Sequence, residues 1–500
     1  MNKYQYITRT STLKVRAVYA FGIFAWLLTL WGFSGIIIID PVYRYVVAPL
    51  LLFVSIYHFI SWGIILYYKK FDLEQHQKLM AMNKIKPTVD VFLPVCGESM
   101  GVLERTWKAV SKLSYTNRRV YVLDDSKTET EEHETLARSL GFTYIQRKNK
   151  GEMKKAGNLK NAFNQTNGEF IVIFDADFAP KPEFLEETLP YFSDRKIAIV
   201  QTPQFFEAKS QLEHGAAYVQ EDFYRIIQVA RDRLGGALCC GSNAVYRRSA
   251  LNEIGGTAQV EHSEDAITGF RLTDRGYRVK YLPIILATGF CPDDIHSYIH
   301  QQHRWASGSM LLMKSRVFWL SKTLSIKQKL CYLTGFMYYL QHPVSLILSF
   351  QLFITFIAYN QYISFANAMP FYPFMFWAFV MLPMMRIMPL KFGSFLASTA
   401  QLFTFTNAVI NAFFGKAVEW IPTNTKQKNT SIMFRSVQKS VVWYLGLYLG
   451  ISTLLALSGL IHPLIFRYYT IQFWMLYNII LSASFLFIIL SYRKKERGNI

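Results

Sequence analysis

Acidic residues paired at the ends of apolar runs are the part of this chain best suited to chemistry. The run Phe170-Ile-Val-Ile-Phe174 ends in Asp175-Ala-Asp177, and Val120-Tyr-Val-Leu123 ends in Asp124-Asp125. Carboxylates so placed suit a hard divalent cation that keeps several waters and bridges phosphate oxygens. A lone D-x-D is commonly a surface turn, so its weight comes from the strand before it and from the second pair. A third pair, Glu264-Asp265, follows His262-Ser263 and opens a helical stretch to Asp274. Its bland account is a helix cap by Ser263 with two acids favoured by the helix dipole. The fourth cluster, Gln301-Gln302-His303-Arg304-Trp305, joins a cation and an indole to side-chain amides. An interfacial anchor would look similar, with Trp at headgroup level and Arg reaching to water.

These residues need a frame. Short runs rich in β-branched and aromatic residues predict strands at Val89–Val95, Val120–Leu123, Phe170–Phe174 and Ile197–Gln201, with helices near 102–112, 130–140, 156–166 and 183–192. Strands spaced by helices imply a mostly parallel, Rossmann-like α/β sheet covered on both faces. Ligands of such sheets bind beyond the carboxyl ends of the strands, where the acids lie.

The composition places this domain beside a membrane. Of 500 residues, 51% are hydrophobic, 16% aromatic and 18% charged, against about 25% charged in soluble domains. The net charge of +20 sits beside long apolar runs, which favours a membrane over nucleic acid and excludes disorder. Five cysteines without C-x-x-C spacing exclude a disulfide framework or zinc ribbon. His296, His300 and His303 share a helical face but lack a nearby carboxylate or cysteine, so no zinc site is expected. Vicinal Cys239-Cys240 are expected reduced.

Spans are predicted at roughly Ala17–Ile39, Val46–Tyr68, Cys331–Ala358, Tyr372–Leu390, Ser440–Ile461 and Tyr468–Leu490. Lys and Arg cluster before the first, between the fourth and fifth, and after the last. That bias puts both termini and the large domain in the cytoplasm of a multi-pass plasma-membrane protein. The division expected is a hairpin at 1–68, a catalytic domain with interfacial helices at 69–329, and a four-span channel region at 330–500. A polar, Phe-rich stretch at about 393–421 reads as an amphipathic interfacial helix.

The four clusters together resemble the D, D-x-D, [TS]-E-D and Q-x-x-R-W signatures of processive family 2 glycosyltransferases, the cellulose synthase superfamily. Further blocks are similar: Pro87-Thr-Val-Asp-Val-Phe-Leu-Pro94, Lys155-Ala-Gly-Asn-Leu-Lys160, Gln201-Thr-Pro-Gln-Phe-Phe206, Phe223-Tyr-Arg-Ile-Ile-Gln228 and Cys240-Gly-Ser-Asn-Ala-Val-Tyr-Arg247. The resemblance implies a GT-A domain that extends a β-glycan from a UDP-sugar and passes it through the membrane. It implies that Glu98, Asp124 and Asp125 serve the nucleotide, with Lys155 nearby. Asp175 would bind the nucleotide and, with Asp177, Mg2+ or Mn2+. Asp265 would be the general base, with Glu264 beside it in the catalytic pair. Gln301 and Arg304 would meet the diphosphate and acceptor end, Trp305 would stack on the acceptor sugar, and Cys240 would line the acceptor pocket.

Three departures stand out. Phe178 follows the D-x-D where bacterial cellulose synthases have His, as in relatives that make mannan or xyloglucan backbones. Trp420-Ile-Pro-Thr-Asn-Thr-Lys426 only loosely resembles the gating loop. The sequence ends shortly after its last predicted span, so control through an appended PilZ domain is not expected, while separate accessory or regulatory subunits stay open. The product expected is a cellulose-like β-1,4-glucan from UDP-glucose. Mixed-linkage glucan, mannan or an N-acetylhexosamine polymer are alternatives, as is non-processive transfer to a lipid.

Overall fold

The computed structural model describes residues 2–82, 86–128, 130–359, 365–415, 431–457 and 469–498. Among these, the strands are β1 (Val89–Val95), β2 (Arg118–Asp124), β3 (Thr143–Gln146), β4 (Phe170–Ile173), β5 (Phe178–Pro180), β6 (Ile197–Gln201), β7 (Phe205–Glu207), β8 (Ala244–Arg247), β9 (Arg278–Tyr281) and β10 (Ala287–Phe290). Seven form one sheet in the order β3-β2-β1-β4-β8-β6-β9, and β5-β10-β7 form a second. In the larger sheet only β8 runs antiparallel to its neighbours. The mostly parallel α/β architecture is therefore present.

All seven residues of β1 are buried, so its apolar run is continuous where a half-solvated strand would alternate. Asp90 is tolerated there because its carboxylate accepts from the Gly168 backbone N–H at 2.7 Å and from Arg248 at 2.8 Å. The intervening helices span Met100–Ser111, Thr130–Ser139 and Lys154–Gln165; Phe184–Thr188 tightens into a 3-10 turn, Leu189–Ser193, at Pro190.

Four helices among the described residues are long and apolar enough to cross a membrane: Thr12–Ile39, Tyr43–Ile65, Ala366–Met385 and Phe473–Lys494. They stand at the first, second, fourth and sixth predicted spans. The first two are separated at Asp40, which leaves helical geometry while its carboxylate accepts from the Tyr43 N–H at 2.7 Å. Helices Ile326–Ser349 and Ile432–Leu457 stand at the third and fifth. The first carries Lys327, Lys329, Gln341 and His342, and the second Arg435, Gln438 and Lys439, so neither matches the apolarity of the other four.

The apolar region is tied to the α/β domain at two points, before its first span and after its fourth. Lys3 bridges Glu183 at 2.9 Å and Glu187 at 2.7 Å, and its carbonyl accepts from the Ile285 N–H at 2.9 Å. Arg386, at the end of a predicted span, pairs with Asp222 at 2.7 Å and lies 4.0 Å over the Tyr218 ring. The segment at 393–421 is a helix at Phe392–Phe413, with 416–421 outside the described residues. It is packed on protein: Ala397, Ala400, Phe403, Thr404 and Phe405 are buried. Its Gly393 meets Gly215 of helix Gln211–Asp222 so closely that a Cβ on Gly215 would lie 2.0 Å from the Gly393 carbonyl oxygen.

Candidate active site

The chain leaves β1 for β2 and β3 on one side and returns to β4 on the other. The resulting crevice lies beyond the carboxyl ends of β1, β2 and β4, the position where doubly wound sheets bind ligands. Glu98 follows β1, Asp124 closes β2, and Asp175 and Asp177 follow β4. Because β8 is antiparallel, its amino end pairs with the carboxyl end of β4 through Ala244 and Ile173. That register brings Cys240, Gly241 and Ser242 to the same edge. The Asp175 N–H donates to Ser242 Oγ at 2.9 Å.

One cation joins the clusters. Lys155 Nζ lies 2.5 Å from Asp175 and 3.7 Å from Glu264. Burial pulls the Lys155 pKa down, but Asp175 and Glu264 outweigh this and raise it. Around it the acids crowd. Burial, then the charges of Asp175 and Glu98, push Asp177 up to about 7. Burial also lifts Glu98 to about 7 against a hydrogen bond from the Cys96 N–H at 2.6 Å. Asp265 is likewise raised to about 7, by burial first and by Glu264 second. Its carboxylate accepts from the Ala266 N–H at 2.8 Å, and a Cβ on Gly241 would lie 2.8 Å from its Oδ2. Cys240 is thus adjacent to Asp265, with its N–H held by Gln201 at 2.8 Å.

Arg304 and Trp305 lie on helix Ile295–Lys314, whose start is capped by Asp294 accepting from the Ser297 N–H at 2.8 Å. Burial lowers the Arg304 pKa, while Glu264, Asp175 and Asp177 oppose that shift, so its guanidinium faces the carboxylates. Trp305 is partly exposed. Gln301 is buried and accepts from Gln302 at 3.3 Å; Gln302 in turn accepts from Gln401 of helix Phe392–Phe413 at 3.0 Å.

The acids of β2 do other work. Asp124 is wholly buried, accepting from the Ser126 N–H at 2.7 Å, His133 at 2.8 Å and the Tyr144 hydroxyl at 2.7 Å. Burial would raise its pKa, but these donors lower it below the usual carboxylate range. Asp125 is gripped by Arg147 at 2.7 and 2.5 Å and by the Gly151 N–H at 3.2 Å. That bidentate pair braces the loop leading to Lys155. Arg147, His133 and Tyr144 are not singled out by the sequence, since none stands in a motif whose spacing announces it; Ser242 stands in the Cys240–Arg247 block, but its contact with Asp175 is not readable there.

Among the described residues, four non-glycines have positive φ: Met153, Lys154, Asn243 and Ser263. Each lies within two residues of Lys155, Ser242 or Glu264. Such backbone costs about 1–3 kcal/mol per residue and persists where packing over-determines it, commonly at functional sites.

The residues present fit a hard divalent cation. Asp175 and Asp177 offer oxygen donors, and the raised Asp177 and Glu98 show a carboxylate cluster that added positive charge would relieve. No group of three His, Cys, Asp or Glu side chains converges into a closed cage among the described residues. A cation there would take its remaining ligands from phosphate oxygens and water. Of the three histidines on helix Ile295–Lys314, His300 meets Ser431 at 2.7 Å and His303 meets Ser307 at 3.2 Å.

Comparison with known proteins fits this geometry. Residues 87–308 match the family model described as "Glycosyltransferase like family 2". The cellulose synthase catalytic subunit [UDP-forming] of Pseudomonas fluorescens (strain SBW25) is 35% identical over 262 residues, which cover 51% of this chain and 35% of that protein. Its counterpart in Xanthomonas axonopodis pv. citri (strain 306) is 32% identical over 270 residues, covering 52% of this chain and 37% of that protein. The chain thus spans little more than a third of the length of these relatives. Among solved structures, the mannosyltransferase PcManGT from Pyrobaculum calidifontis, in complex with GDP-Man and Mn2+, superposes with a TM-score of 0.52. That match covers 74% of this chain and 100% of the other; at 16% identity it establishes the GT-A fold alone. Residues 87–308 therefore match the family 2 glycosyltransferase model and are similar in sequence to the matching part of bacterial cellulose synthase catalytic subunits.

Proposed function

We propose that this chain is a membrane-embedded, inverting, processive hexosyltransferase that builds a cellulose-like β-glucan from UDP-glucose and moves it across the plasma membrane. The observation that carries the reading is the convergence of Asp175 and Glu264 on Lys155, with Asp177, Arg304 and an Asp265 raised to about 7 in electrostatic reach of the same cluster.

The acceptor hydroxyl attacks the anomeric carbon of the donor sugar while Asp265 takes its proton. The bond from that carbon to the diphosphate oxygen breaks, and its electron pair leaves with the diphosphate. Arg304 and Lys155 offset the charge growing there. Mg2+ or Mn2+ held by Asp175 and Asp177 would supply further charge stabilisation on the diphosphate. Trp305, partly exposed beside Arg304, offers a face for the acceptor sugar without a fixed hydrogen-bond register. Asp124 and Asp125 shape the nucleotide side through Tyr144 and Arg147.

Secretion through the chain would need a lined path across about 30 Å of hydrocarbon. Tyr338, Tyr339 and His342 gather around Phe405, with ring centroids 5.7, 4.9 and 4.8 Å away. Tyr338 and Tyr339 pack against the same cluster as Ala306 of the acceptor helix. Tyr444 and Tyr448 are buried in a cluster with Phe350. Trp443 is 78% exposed and points outward. The Trp420–Lys426 segment lies outside the described residues.

Incubating purified protein with sugar nucleotides and digesting the product with linkage-specific glucanases and mannanases tests the assignment. Product sensitive to β-1,4-glucanase is expected. Product cleaved by mannanase alone would support a mannan backbone, in line with Phe178, whose side chain is buried against Phe206 and adds no ligand to the D-x-D. Singly glycosylated lipid alone would overturn processivity.

A further inference from the structure

Helix Ile295–Lys314 carries Arg304 and Trp305 and, one turn on, Gly308. Gly308 abuts the residue that introduces the acidic pair: a Cβ built at 308 would lie 1.9 Å from Ser263 Oγ and 2.2 Å from Ser263 Cβ. Ser263 holds left-handed backbone, φ 53° and ψ 45°, and its carbonyl accepts from the Ile267 N–H at 3.2 Å, so its position sets the first turn of helix Glu264–Asp274. Two other glycines bound that turn. Gly241 leaves room for the Asp265 carboxylate, and a Cβ on Gly269 would approach Cys239 Cβ to 2.8 Å.

We propose that Gly308 and Ser263 are positioning residues: their contact seats the acceptor-binding helix against the turn that carries Asp265, and so fixes the distance from the base to the acceptor hydroxyl. The proposal rests on the glycosyltransferase reading above. The atoms nearest a Cβ at 308 all belong to Ser263, and the donor side lies one residue removed, through Glu264 at 3.7 Å from Lys155, and one turn removed, through Arg304. A displacement of about 1 Å at a reacting pair costs on the order of 100-fold in rate. The contact should therefore act on turnover and spare donor binding.

The test uses full-length protein in detergent or nanodiscs, with nucleoside diphosphate release measured against donor concentration. Gly308→Ala is expected to lower kcat by about 10- to 100-fold with donor KM within about twofold. Ser263→Gly is expected to restore most of that loss in the double variant, because it removes the atoms a Cβ at 308 would meet and glycine adopts positive φ freely. Because relief of the clash would repair a folding defect too, thermal midpoints are recorded beside kcat: a Gly308→Ala variant with the wild-type midpoint and a lowered kcat supports positioning, and a loss of kcat that only follows a lowered midpoint overturns it. If Gly308→Ala does not fold, Ser263→Thr adds bulk from the other side of the contact, and its split between kcat and KM decides. Wild-type kcat in Gly308→Ala, a donor KM that rises in step with the fall in kcat, or a double variant no better than the single would each overturn the positioning role. An active wild type distinguishes these outcomes from failure of the glycosyltransferase reading, since a wild type releasing nucleoside diphosphate from no sugar nucleotide overturns both.

Discussion

The proposed base, Asp265, would act only when ionised, and burial and Glu264 raise its pKa to about 7. Turnover should therefore climb with pH up to about 7 and level above it, giving an acid limb with unit slope in a pH–rate profile. Glu264→Gln removes the neighbouring charge and should move that limb to lower pH. Asp265→Asn should lose about 100- to 10,000-fold in polymer formation with donor affinity by calorimetry little changed. Wild-type radiolabel incorporation by that variant would refute the assignment. Asp177 is assigned in this reading to the metal and the donor diphosphate. Its Ala variant should lose Mg2+- or Mn2+-dependent donor binding, so that EDTA, which weakens wild type, makes no further difference. Because Asp177 is also raised to about 7, protons compete with metal there, and wild-type affinity for the cation should fall as pH drops through 7.

At the scale of elements, the catalytic domain is fastened to the apolar region by close backbone approach. Helix Gln211–Asp222 crosses helix Phe392–Phe413 where Gly215 and Gly393 meet, and a Cβ on Gly393 would lie 2.1 Å from the Gln211 carbonyl oxygen. Neither helix can retreat freely, since Asp222 is tied to Arg386 at 2.7 Å and Gln401 to Gln302 at 3.0 Å. Gly393→Ala should destabilise by about 1–3 kcal/mol, as overpacking does. The expected observation is a lower thermal midpoint in detergent. An unchanged midpoint would mean the helices slide without cost. The same crossing accounts for the polar residues of the segment predicted to lie in the membrane interface: Thr404 and Gln401 are buried against protein.

For the whole molecule, the docking of Lys3 on Glu183 and Glu187 places the amino terminus on the same side as the catalytic domain. An N-terminal tag should therefore be cleaved or protected together with the domain in oriented vesicles. Opposite accessibility would break the two-helix hairpin reading. In sealed inside-out vesicles, polymer is expected in the lumen, resistant to added glycanase until detergent is supplied. Complete digestion without detergent would require a separate protein for export.

Features that depend on neighbours in the chain were legible before any fold. A spanning helix is a local run of apolar residues, and Thr12–Ile39 and Tyr43–Ile65 follow directly from composition. A parallel strand ending in acids is local too, so Asp175 and Asp177 could be placed at the crevice by the rule that governs doubly wound sheets. What each acid does there was decided by distant partners. Asp124 and Asp125 are chemically alike and adjacent, yet His133 and Tyr144 bury one as a brace while Arg147 grips the other. The raised pKa of Asp265 likewise comes from burial, with Gly241 close against its carboxylate, and from the charge of Glu264, both outweighing the opposing pull of Lys155. Glycines show the same division. Their identity is plain in the sequence, but only the packing of two helices makes Gly308 a seat for Ser263 and Gly393 a seat for Gly215, because close approach is a property of surfaces that meet across the fold.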